Sequence, residues 1–415
     1  VDARGALALL PAPAARPAYR ILVLTNLYPP QELGGYGRSI HDFAVQLRRN
    51  GHTIRVLTSD APYLGAIAEL EPEVDRSLQL LGSYEGGVSL LEDRTEARRR
   101  MLANRQRLQE QIATFQPDVC LLGNLDLLLV ETLEPLQQAQ IPLVHHLGFA
   151  QLPYALEQRP TSPLYRLVAN SRYSRQQLQQ AGYSAPIDVV YPGACCDTYT
   201  DLPIPVPGTL RIAFASLLMP VKGAHVLLEA LDLLQQQGIP FKAHIAGKAF
   251  SRDYAHQLEQ FCREQGLTEQ VQFHGYLERP QLRQLLAECN TFVFPSTWEE
   301  PFGISQVEGM AAGLATISSG TGGAAEVVEH DVSGLRFEPG NARSLAETLT
   351  RLATEPGLMS RLARAGRQRA VEVFDIRHSV AQLEAIFAEL LALKAEPQDD
   401  SAAVWSLPVA APLSE

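Results

Sequence analysis

Short apolar runs alternate with amphipathic stretches along nearly the whole chain. Residues 20–25 (RILVLT) form a run of strand length, and its unbroken hydrophobicity suits a parallel strand buried on both faces. A glycine-bearing loop follows, then a helical pattern near 39–49 that Gly51 stops, and 53–58 (TIRVLT) is the next strand. Residues 118–122, 142–146, 166–170 and 187–191 read as further strands. The stretch 201–208 (DLPIPVPG) carries three prolines, cannot be a helix and reads as a linker. After it the alternation restarts, with strands expected at 211–215, 241–246, 270–273, 291–294, 315–318 and 335–337 and helices between them, for example 224–236 and 344–353. Two such series predict an α/β protein of two doubly wound, Rossmann-like domains facing across a cleft. Ligands of such sheets bind beyond the carboxyl ends of the strands. The expected division is a tail at 1–18, a first domain at 19–200, the linker at 201–208 and a second domain at 209–376. A last amphipathic helix follows at 377–394, then a tail at 395–415.

Composition narrows the class. Hydrophobic residues make up 46% of the 415, enough to fill two cores, and the net charge of −11 argues against general nucleic-acid binding. The five cysteines include no C-x-x-C pair, so neither a disulfide framework nor a zinc site is expected, and a reducing, cytoplasmic setting fits. No apolar run approaches the roughly 18 residues that a membrane-spanning helix needs. The Ala- and Pro-rich ends read as mobile tails.

The sharpest chemistry lies in 297–313 (TWEEPFGISQVEGMAAG), directly after the strand at 291–294. Pro301, Phe302 and Gly303 make a tight loop, and a helix starts near Ile304 with free N–H groups that attract phosphate. Glu300 sits in the loop and Glu308 in the second helical turn; a carboxylate accepts two hydrogen bonds at once and suits the paired hydroxyls of a ribose or a hexose. This stretch resembles the donor site of the retaining glycosyltransferases of the GT-B fold, group 1 or family 4. Their signature is E-P-F-G with a second Glu eight positions after the first. The resemblance implies that Glu300 contacts the donor sugar and Glu308 the nucleotide ribose.

Three further stretches carry the resemblance. In 213–223 (AFASLLMPVKG), Lys222 and Gly223 match the family's Lys-Gly at a helix start, where a lysine neutralises charge on the leaving diphosphate. Ser216 stands where the family has arginine, and it brings neither charge nor a planar fork. Gly34 and Gly35 resemble the N-terminal loop that approaches donor phosphates and acceptor. Residues 319–326 (SGTGGAAE) match a loop lying on the donor, with Glu326 read as a helix-start carboxylate. Tyr276 falls where the family's loop meets the nucleotide base, or is a core or rim tyrosine. The family's histidine near the reacting carbon falls on Gly148; His145 and His146 lie just before it and are either reaction-centre candidates or histidines packed in the sheet. The cluster Arg94, Arg98, Arg99, Arg100, Arg105 and Arg107 fits a peripheral contact with anionic lipid at the inner membrane face, or a solvated helix face.

The resemblance spans about 20–390 and is most specific in the second domain. It implies a metal-independent enzyme that transfers a hexose, with retention, from a nucleoside-diphosphate sugar to an acceptor hydroxyl. The donor would be a UDP-sugar first, with GDP- and ADP-sugars as alternatives; the acceptor would be a carbohydrate, a lipid-linked sugar or a small molecule. No other cofactor is expected. It further implies that the helix at 377–394 returns to the first domain. A sugar-nucleotide epimerase on the same fold, and a non-catalytic binding relative, are the competing readings.

Overall fold

A computed structural model describes residues 17–67, 71–85, 88–206 and 208–396. Of the tails expected at 1–18 and 395–415, residues 1–16 and 397–415 lie outside it. The first domain contains β1 (Arg20–Leu24), β2 (Thr53–Ser59), β3 (Val74–Leu78), a small hairpin of β4 (Gly82–Ser83) and β5 (Ser89–Leu90), then β6 (Val119–Leu122), β7 (Leu143–Leu147), β8 (Tyr165–Ala169) and β9 (Ile187–Val189). Its helices are α1 (Tyr36–Arg49), α2 (Arg94–Phe115), α3 (Glu134–Gln138) and α4 (Arg172–Gln180). The second domain contains β10 (Leu210–Ala215), β11 (Phe241–Ala246), β12 (Val271–Gly275), β13 (Thr291–Phe294), β14 (Ala315–Ser318) and β15 (Leu335–Arg336). Its helices are α5 (Ala224–Gln236), α6 (Arg252–Glu264), α7 (Arg279–Glu288), α8 (Ile304–Ala311), α9 (Ala342–Thr354) and α10 (Leu358–Phe374), and α11 (Ile376–Ala395) ends the described chain.

Each domain is built on one parallel sheet, to which the first adds the antiparallel β4–β5 hairpin. The first runs β3-β2-β1-β6-β7-β8-β9 and the second β12-β11-β10-β13-β14-β15. The strand order therefore reverses between β1 and β6, and again between β10 and β13. Crevices open at such switch points because neighbouring strands send their following loops to opposite faces. The central strands are buried on both sides, which is why they read as continuous apolar runs. Ile21 and Val23 face one core cluster, while Leu22 and Leu24 face another.

Several boundaries differ from the sequence reading. The first helix begins three residues earlier, at Tyr36, and the strand expected at 187–191 stops at Val189. β3 and the hairpin had no distinct apolar run; β3 is only half-buried along most of its length. The first crossing between domains falls ahead of the proline-rich stretch, because Cys196, Tyr199 and Leu202 already pack in a core cluster of the second domain. The return crossing lies beside it. Ala194 N–H donates to the Phe374 carbonyl at 2.8 Å, and Ile376 N–H to the Ala194 carbonyl at 2.9 Å.

The last helix, α11, packs against the first domain. Val380, Leu383, Phe387 and Leu390 are fully buried in the cluster formed with Ile21, Val23, Phe43 and Val144. Polar contacts fix its register: Asn50 Nδ2 donates to Glu384 Oε1 at 2.6 Å, and His52 Nε2 lies 3.2 Å from the same oxygen. The arginines of α2 are mostly internally matched. Glu96 accepts from Arg99 and Arg100, Arg107 pairs with Glu110, and Arg105 with Glu134. No described helix is long and apolar enough to cross a membrane.

Candidate functional site

The loops that follow β10 and β13 leave the second sheet on either side of its switch point, and their backbones are pressed together. Gly223 has φ +73°, and a Cβ there would lie 1.9 Å from the Pro295 carbonyl oxygen, so only glycine allows this approach. Thr297 N–H then donates to the Val221 carbonyl at 2.9 Å, and Ser296 Oγ to the same carbonyl at 3.0 Å. The result is that Lys222 Nζ lies 2.7 Å from Glu300 Oε1, which also accepts from Ser296 Oγ at 2.7 Å. The ammonium sits 4.9 Å from the centre of the Trp298 ring. Glu300 is 4% exposed, so the carboxylate is held by a cation and a hydroxyl at the floor of the crevice rather than solvated.

Pro301 and Phe302 lead into Gly303, whose φ of +88° starts α8; a Cβ there would strike the Phe294 ring at 2.7 Å. Gly323 N–H donates to the Glu300 carbonyl at 2.6 Å, which ties the loop after β14 to this turn. On that loop Ser319 Oγ and Thr321 Oγ1 are buried with no protein partner. From the other side come Gly34 and Gly35. A Cβ on Gly34 would meet Leu217 Cδ1 at 3.8 Å, and one on Gly35 would meet Ile304 Cδ1 at 3.6 Å. The two glycines thus lie on the rim of the second domain's site.

Glu308 projects from the second turn of α8 and is 6% exposed. Tyr199, from the first interdomain crossing, donates its hydroxyl to Glu308 Oε1 at 3.1 Å. Burial pushes the Glu308 carboxyl up, while Arg38, Arg279 and the Tyr199 hydrogen bond hold it down. Arg38 pairs with Glu32 at 3.2 Å, and Arg279 forms an ion pair with Asp42 of the first domain. Ser216 supplies no charge. It is half-buried, and its N–H donates to the Ala246 carbonyl at 3.1 Å. The guanidiniums that influence Glu308 come instead from α1 and α7. Neither arginine was singled out from the sequence: Arg279 sits in no glycine-rich or carboxylate motif, and Arg38 closes a glycine-rich stretch that was read for its glycines. Arg38 lies three residues after Gly35, which was the one available signal.

Tyr276 follows Gly275 and is 55% exposed, a rim position. Gly148 follows β7 and is buried, its carbonyl accepting from Asn170 Nδ2 at 2.9 Å. The two histidines follow the second of their two readings, as residues packed in the sheet. Both lie inside β7 and are fully buried: His145 Nδ1 is 2.7 Å from the Tyr165 hydroxyl, and His146 Nε2 donates to the Val190 carbonyl at 2.8 Å. Burial lowers them to about 3 and about 4 respectively, His146 also acting on His145. The strand's alternation sends one to each face of the sheet, and neither to the cleft. Glu326 does sit at a helix start, but at that of α4 in the other domain. It accepts from the Arg172 and Tyr173 N–H groups at 3.1 and 2.8 Å and from the Tyr191 hydroxyl at 2.8 Å.

Two family models match the chain: one described as glycosyl transferases group 1 over residues 206–369, the other as glycosyltransferase family 4 over 33–197. The putative glycosyltransferase YtcC of Bacillus subtilis is 30% identical over 187 residues, 44% of this chain and 46% of that protein. The chain spans about half the length of the curated relatives it matches. A glycosyltransferase structure from Rickettsia africae superposes with a TM-score of 0.71 at 18% identity, covering 90% of this chain and 99% of that one. The Anabaena protein HepE, in complex with UDP and glucose, superposes at 0.69 with 24% identity, covering 89% and 99%.

Proposed function

We propose, for a chain that belongs to the group 1 glycosyltransferases of the GT-B fold, that it transfers a hexose from a nucleoside-diphosphate sugar to an acceptor hydroxyl with retention at the anomeric carbon. The observation that carries this reading is the Lys222–Glu300 pair, 2.7 Å apart across the switch point of the second sheet. A lysine there offers its charge to the diphosphate as the bond to the anomeric carbon breaks. Glu300 offers oxygens to the sugar hydroxyls, and Glu308, already oriented by Tyr199, offers its free oxygen to the ribose. The N–H groups opening α8 and the orphaned hydroxyls of Ser319 and Thr321 add donors for phosphate oxygens. In the step itself the acceptor oxygen bonds to the anomeric carbon while the phosphate oxygen departs. The acceptor proton passes to that departing oxygen on the same face. His145 and His146 take no part, since both are sealed within the sheet. UDP is the first nucleotide to test, as the likeness to HepE is one of fold and HepE binds UDP.

The experiment is a thermal-shift comparison of UDP, GDP and ADP with the full chain. A nucleotide at a hundred times its dissociation constant should add about 2.7 kcal/mol. Glu308→Gln should weaken that nucleotide about tenfold or more, the size expected for a lost charged acceptor. Lys222→Ala should lower turnover more than it lowers stability, the loss of its pair with the buried Glu300 costing some melting temperature. No shift with any nucleotide, or nucleotide binding indifferent to Glu308, would remove the proposal's basis. Proton NMR of the product would report its anomeric configuration.

A further inference from the structure

A cavity of about 450 Å³ opens where the two interdomain connections run side by side. Thr200 and Ile204 line it from the first connection, Arg364, Arg367 and Val371 from α10, and Arg377 from the start of α11. The lining carries three guanidiniums and one carboxylate, Glu372, which accepts from Gln368 at 2.9 Å, while Asp375 and Asp201 act on Arg377 and Arg367 from just outside it.

The three arginines are not equally occupied. Arg377 is satisfied by a bidentate pair with Asp375 at 2.7 and 2.8 Å. Arg367 donates only to carbonyls, Thr200 O at 3.4 Å and Ala312 O at 2.8 Å, and its Nε is buried with no acceptor. Arg364 is exposed and has no hydrogen bond or ion pair among the described residues. Two guanidiniums with uncommitted donors on one helix, one turn apart, suit a tetrahedral oxyanion better than a carboxylate, which a single fork would satisfy. Ile204 and Val371 add an apolar wall for a short carbon skeleton.

We propose that this cavity binds a small phosphate monoester, with its phosphate on Arg364 and Arg367, and that its occupancy is coupled to donor binding. The coupling has a short route. Arg367 grips the carbonyl of Ala312, which caps α8, the helix that carries Glu308. It also touches Thr200, the neighbour of Tyr199, whose hydroxyl orients Glu308. An anion that recruits Arg367 therefore acts on both contacts at once. The coupling rests on the donor-site reading above; the binding does not.

The test is calorimetric titration of the full chain with glycerol 3-phosphate, with glycerol and a salt of matched ionic strength as controls. Saturable binding of glycerol 3-phosphate alone is expected, weakened about tenfold in Arg364→Gln, whose exposed position keeps folding out of the question. UDP should bind in its presence, each ligand changing the other's affinity by the same factor. The site is overturned if the phosphate probe gives no more heat than the salt control, if Arg364→Gln binds it unchanged, or if UDP displaces it fully. Equal UDP affinity with and without the probe would overturn the coupling. Failure of UDP to bind at all, with Arg364-dependent binding of the probe intact, would remove the donor reading and leave the site standing.

Discussion

His145 and His146 are neutral inside the sheet, and an unfolded histidine titrates near 6.5. Their folded values, about 3 and about 4, are depressed, so the stability linked to them is complete above pH ~6.5 and is lost as the pH falls toward those values. Each contributes a slope of about 1.4 kcal/mol per pH unit in that window. Denaturant melts between neutral and mildly acid pH should therefore be steeper for the parent than for His146→Gln, which keeps a donor for the Val190 carbonyl. Parallel slopes would place the acid sensitivity elsewhere. These residues also mark where sequence reading stops. Two adjacent histidines near a family column fit either chemistry or packing in the sheet, and strand register decides for packing, in opposite cores. The carboxylates were more legible, because Glu300 and Glu308 are fixed by a local loop and helix start. Tyr199, Arg279 and the pair Arg38 and Asp42 on α1 converge from three separate parts of the chain, with no motif that links them.

At the scale of elements, strands buried on both faces were the most readable, and β11, β13 and β14 fall where their apolar runs do. Half-buried β3 left no such run, and the long helix α2 was visible mainly as a string of arginines. α11 was visible as a stripe needing cover, and its partner is the face of the first sheet already shared by α1. Phe387 is fully buried in that contact. Phe387→Ala should lower stability by about 3–5 kcal/mol, whereas Lys394→Ala, on the exposed side, should stay within about 0.5 kcal/mol. Melting of both variants checks this. A Phe387→Ala protein of parental stability but altered oligomeric state would mean that the stripe serves a second copy instead.

The two domains meet along a seam held by few polar contacts, chiefly Arg279–Asp42 and Glu326 on the amino end of α4. Both join one domain to the other, so both must break for the cleft to open. Glu326→Ala should cost about 1.5–3 kcal/mol through the unpaired N–H groups, and Asp42→Asn should loosen the opposite end of the seam. Small-angle scattering of the unliganded variants should show a larger radius of gyration with unchanged helix content; identical curves would assign the closed arrangement to the backbone connections alone. The position of α11 reaches further than mechanics. The first domain is discontinuous in the chain, with the whole second domain inserted before its final helix. On the ribosome, the second domain is free to complete its core first. The first sheet must wait with one face uncovered, exposing Ile21, Val23 and Val144 until α11 emerges. A nascent chain arrested before α11 should therefore be protease-sensitive in its N-terminal half and resistant in the half made later, the reverse of the order of synthesis.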